Sequence, residues 1–97
     1  MKLSETIDLI DRLNEEDYLI GGEDYKDRFC IEYYQTVIRY KKLKKLLRDW
    51  DDGNLDFKPT CPRVLYTVQL KAMADYIAIL ETRSHMEGIK LIDVEVE

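Results

Sequence analysis

From Asp24 to Trp50, apolar side chains recur at intervals of three and four residues: Phe29, Tyr33, Val37, Tyr40, Leu43, Leu47 and Trp50. That spacing lines one side of an α-helix and does not fit the period of two of a strand, so it predicts a long amphipathic helix over 24–50. Asp24 is the expected N-cap, and Asp27 sets a negative charge in the first turn, where the helix dipole favours one. At 1.5 Å per residue such a helix is roughly 40 Å long. A second apolar set, Ile31, Tyr34 and Ile38, points to another side of it. A helix in a simple hairpin needs one buried stripe, so the second set calls for a further partner.

The turn formers Asp51-Asp52-Gly53-Asn54 end this helix, and the loop runs on through Leu55 and Phe57, expected to pin it to the hairpin end, to Pro59. Thr60 or Cys61 is the expected cap of a helix over 61–87. Pro62 falls at or near its first position, where the missing N–H costs nothing, and Gly88 stops it. This helix also carries two apolar lines: Leu65, Val68, Ala72, Tyr76 and Ile79, and beside them Leu70, Met73, Ile77 and Leu80. Two helices of this kind cannot cover each other, and large bare apolar patches usually mark interfaces. The sequence therefore predicts an all-α chain whose core is a long antiparallel hairpin, assembled into a homo-oligomer of closed symmetry. A short helix over 4–14 precedes it, with Ser4 as N-cap and Leu3, Ile7, Ile10 and Leu13 on one side. Tyr18-Leu19-Ile20 forms an apolar plug after that helix. The tail over 91–97 alternates apolar and acidic residues from Ile92 to Glu97, as a strand would. At 97 residues this is a single helical domain, 1–97.

The charge is unevenly laid out. The chain carries a net charge of -5, yet Arg39, Lys41, Lys42, Lys44, Lys45 and Arg48 follow one another with no acid among them. Lys41, Lys44, Lys45 and Arg48 share one helix face, while Arg39 and Lys42 point elsewhere. As a bland feature, this is a solvated face that complements the negative end of the helix. As a functional one, it is an anion site, with phosphates on Lys42 or Arg39 and a base stacked on Tyr25 or Tyr40. A pI near 4.9 argues against long nucleic acid, whose binding rests on neutralising many phosphates, and favours a small phosphorylated ligand. Tyr25, beside Lys26 and Arg28, is the tyrosine best assigned to a ligand; most of the others suit packing.

Signatures of catalysis are absent. Gly21-Gly22 is not a phosphate-binding loop, and no GxSxG or HExxH pattern occurs. His85 is the one histidine, expected to be exposed or capping, and Cys30 and Cys61 are too far apart for a CxxC pair. Cys30 is expected in the core. No cofactor, metal or catalytic residue is assigned, and the chain reads as a binding protein. The N-terminal residues lack the apolar core of a signal peptide and no run is long enough to span a bilayer, so a cytoplasmic location without membrane contact is expected.

In the second long helix the string Gln69-Leu70-x-Ala72-Met73-x-x-Tyr76-x-x-Ile79-Leu80-x-x-Arg83 resembles a signature of short phage-encoded helical-hairpin proteins. Tyr25-x-x-Arg28-x-x-x-Glu32 and Arg39-x-x-Lys42-Leu43-x-x-Leu46-Leu47 resemble the first half of the same family. The branch that this chain is similar to is the anti-CBASS sponge family, whose members sequester host cyclic oligonucleotide signals. The resemblance implies a non-enzymatic phage anti-defence protein acting in the host cytoplasm. It implies a cyclic di- or trinucleotide held between protomers by aromatic stacking and by cations on its phosphates. The matching positions are Tyr25 and Arg28 of one protomer with Arg39 and Lys42, and Arg83 for a second pocket. The acidic N-terminal helix, the Pro-containing loop and the strand-like tail depart from the family pattern.

Two other functions fit the residues. Glu5, Asp8, Asp11, Glu15, Glu16 and Asp17 would let an acidic inhibitor or adaptor imitate DNA phosphates and occupy a host nuclease or polymerase. Alternatively, the apolar faces would serve polymerisation alone, in a phage assembly protein.

Overall fold

In the computed structural model, which describes residues 25–92, two α-helices lie antiparallel: α1, Tyr25–Asp51, and α2, Arg63–Glu87. The described residues thus form an all-helical hairpin without strands, as the periodicity predicts. The helix expected over 4–14, the Asp24 cap, the plug at 18–20 and the tail beyond Ile92 lie outside the described residues.

The core is built from both apolar sets of α1. Phe29, Tyr33, Val37 and Leu47 of the first set and Ile31, Tyr34 and Ile38 of the second are all buried. From α2 only Leu80 and Ser84 reach that state, with Leu80 at 0% exposure. Part of the answer to what covers the second set comes from the chain beyond α2. Gly88 takes φ 69°, a left-handed conformation that a side chain would strain, and closes the helix. The Ile89 N–H donates to the Ser84 carbonyl at 2.8 Å, which turns the chain back so that Ile89 is buried in the core and Leu91 packs against it. The Ile92 N–H then donates to the Tyr34 hydroxyl at 3.2 Å. Burial raises the Tyr34 hydroxyl above the ordinary tyrosine range.

At the other end the helices are tied by charge. Arg63 donates from Nε and Nη2 to the two carboxylate oxygens of Asp51 at 3.1 and 2.9 Å, a bidentate pair between the end of α1 and the start of α2. Its guanidinium also lies 5.8 Å from the Trp50 ring centroid, and Trp50 meets Tyr66 edge-on at 5.8 Å. Pro62, with φ -60° and ψ 145°, is the N-cap and offers no side-chain cap. It therefore stands one position before the helix, and Thr60 and Cys61 precede it. Phe57 does not pin the loop: it is 55% exposed, and Leu55 is the half-buried residue there.

The two apolar lines of α2 have opposite fates. Leu70, Met73 and Ile77 are half-buried and Leu80 fully so. The other line, Leu65, Val68, Ala72, Tyr76 and Ile79, is exposed throughout, and Met86 extends it at 80% exposure.

Candidate functional site

Helical spacing carries Tyr25, Arg28, Glu32, Gln35, Arg39 and Lys42 along one line of α1, and every one of them is exposed. Four of these, Tyr25, Arg28, Arg39 and Lys42, are the residues that sequence singles out. The structure brings them to one surface but not to one point. Arg28 and Arg39 are eleven residues apart on the helix, roughly 16 Å along its axis, so a single chain does not close one pocket around all four. Arg83, on α2, stands at the Tyr25 end. Its guanidinium sits 4.9 Å from the centroid of the Phe29 ring, and its Nε donates to Glu87 at 3.0 Å. It is thus held in place by its own hairpin, apart from Arg39 and Lys42.

Midway along the hairpin two lysines, Lys41 and Lys44, lie near an aromatic ring. Tyr40 is half-buried between Arg39 and Lys41, and the Lys44 ammonium lies 5.9 Å from its ring centroid. Tyr40, Tyr33, Val37 and Lys41 of α1 line a cleft of about 290 Å³ with Ala74, Ile77 and Glu81 of α2. Among the described residues no acid pairs with Arg39 or Lys42. A ring with Lys41 in its cleft and Lys44 near its centroid offers a stacking surface next to anion-binding groups, which is the chemistry that a nucleotide requires. The Tyr40 position was legible from its neighbours in the sequence; the cleft was not, because Glu81 and Ala74 join it only through the helix pairing.

Glu32 interrupts the cationic line with a negative charge, and that charge is engaged. The Tyr76 hydroxyl donates to Glu32 Oε1 at 2.5 Å, so α2 supplies a cross-link into the line from a residue of its exposed stripe. This bond to the carboxylate raises the Tyr76 hydroxyl above the ordinary tyrosine range. The sequence gives no sign of this pair, whose members are forty-four residues apart.

A second concavity, about 550 Å³, opens at the hairpin tip. Trp50, Leu55, Phe57, Pro59, Cys61 and Pro62 make its lining largely apolar. Cys61 is half-buried there, and Cys30 is half-buried against the core. Among the described residues no group of His, Cys, Asp and Glu could hold a metal ion, and no helix is long and apolar enough to cross a membrane. His85 is exposed in the last turn of α2.

The family model described as Sequestin matches residues 23–86, which take in α1, the tip and all but the last residue of α2. The chain belongs to the Sequestin family. Among curated proteins and among solved structures, nothing matches it. The name of the family points to a sequestering protein. In this Sequestin chain, the matched span contains every residue of the exposed cationic line, the Tyr40 cleft and Arg83.

Proposed function

We propose that this chain is a phage anti-defence protein that binds a host cyclic oligonucleotide second messenger and sequesters it without cleaving it, as a homo-oligomer. The observation that carries the reading is the exposed line of Tyr25, Arg28, Arg39 and Lys42 on α1 in a chain of the Sequestin family. Arg39 and Lys42, with no acid paired to them among the described residues, suit phosphates, and the exposed Tyr25 ring suits a base. The separation of Arg28 from Arg39 along the helix supports a site shared between protomers. In that arrangement Tyr25 and Arg28 of one chain would meet the ligand held by Arg39 and Lys42 of another, with Arg83 serving a second pocket.

The acidic-mimic alternative draws on Glu5 to Asp17, all outside the described residues, and so has no structural observation behind it.

Arg39→Glu with Lys42→Glu tests the assignment. Both side chains are exposed, so the double variant should melt within a few degrees of the parent and lose its heat of binding to cyclic di- and trinucleotides in titration calorimetry. A folded double variant that binds the nucleotide as the parent does would show that these residues are not the site.

A further inference from the structure

The exposed stripe of α2 reads the same in both directions. Leu65, Val68, Tyr76 and Ile79 lie seven and four residues before, and four and seven residues after, Ala72, the smallest side chain of the set. All five are exposed. A second copy of α2 laid antiparallel on the first, with a two-fold axis through Ala72, sets Leu65 in one layer with the partner's Ile79 and Val68 in one layer with the partner's Tyr76. Such an isologous contact needs a self-complementary patch, and alanine at the axis lets the helices approach closely.

We propose that this chain pairs with a second copy of itself through α2, antiparallel and two-fold about Ala72. Two observations agree with that pairing. Lys71 and Asp75, an exposed ion pair at 3.1 Å, lie just off the stripe. The two-fold lines that pair up with its copy on the same flank, two lysines between two aspartates, so the edge of the contact is charge-balanced. Finally, length favours a second helix of this size as the occupant. From Leu65 to Met86 the stripe extends roughly 32 Å, twice the roughly 16 Å that a helix over 4–14 would cover.

The register also bears on the candidate site, and here it rests on the sequestering function proposed above. Tyr40 and Ala74 line the same cleft, so Ala72 lies level with the Arg39–Lys42 segment of α1. A two-fold through Ala72 then sets the two copies of that segment at one level, on either side of the axis. This suits a ligand with two equivalent phosphates, as in a cyclic dinucleotide.

Single cysteines in a full-length background carrying Cys30→Ala and Cys61→Ser test the register, with circular dichroism confirming the helix content of each variant. Under mild oxidation Ala72→Cys should join to its own copy and run as a dimer on a non-reducing gel. Leu65→Cys or Ile79→Cys alone should join about ten-fold less, because each is roughly 21 Å from its own copy and a disulfide needs about 5.5 Å between Cα atoms. The two mixed together should join to each other. Helical Ala72→Cys protein that stays monomeric overturns the proposal, as it would if residues 1–24 cover the stripe; equal cross-linking at all three positions also overturns it. Because the reaction needs no ligand, a cross-linked dimer that ignores cyclic nucleotides refutes the ligand reading and keeps the interface. An Ala72→Cys chain that binds them but does not cross-link does the reverse.

Discussion

Leu80 is the single α2 side chain that is wholly enclosed, and it meets Tyr34 and its neighbours where both apolar sets of α1 converge. Truncation there leaves a cavity as well as losing apolar burial, so Leu80→Ala should lower the unfolding free energy by about 3 kcal/mol in urea denaturation. Its exposed neighbour Ile79, mutated to Ala, should cost an isolated hairpin far less; the contrast between the two separates core from interface. Asp51 offers a second residue-scale test. Its hydrogen bonds from Arg63 hold its carboxyl below the ordinary carboxylate range. A group whose folded pKa is depressed contributes stability above its unfolded pKa and loses it as pH falls through the folded value. The tip should therefore loosen on acidification below the usual carboxylate range. Trp50, the only tryptophan and packed against Arg63, should report that loosening as a fluorescence change that Asp51→Asn removes.

Gly88 decides how α2 ends and where the chain goes next. Its φ of 69° is costly for any residue with a Cβ, although the space around that position is open. Gly88→Ala should thus destabilise through backbone strain alone, by about 1 kcal/mol in thermal unfolding, and hydrogen exchange at the Ile89 and Ile92 amides should quicken with it. The helix stop at Gly88 was legible in the sequence because glycine is the common terminator. The return of Ile89 and Leu91 to the core was not, because alternation from Ile92 onward drew the reading toward a strand and a single buried isoleucine carries no period. The same limit explains Phe57: an aromatic residue in a loop reads as an anchor, and only the path of the loop reveals that Leu55 takes the half-buried position. Both long helices were legible from their three-and-four spacing, to within two residues at each described end.

At the scale of the whole molecule the surplus of apolar surface was the most readable property. Counting stripes predicts that one hairpin leaves a face bare, and the exposed Leu65 to Ile79 line is that face. Which of the two α2 lines would be bare was not readable, since both have helical spacing; the pairing of Leu80 with the α1 core decides it. For the candidate site, sequence found the cations and Tyr25, while the Tyr40 cleft and the Tyr76 to Glu32 bond needed the fold. The central claim is sequestration, binding without turnover. The measurement that tests it most directly is calorimetric titration of the intact protein with cyclic di- and trinucleotides, followed by denaturation and chromatography of the released nucleotide. Saturable binding of one member of that panel, with the nucleotide recovered unchanged, is the predicted result. No binding by any member, or recovery of a linear cleavage product, would contradict the account.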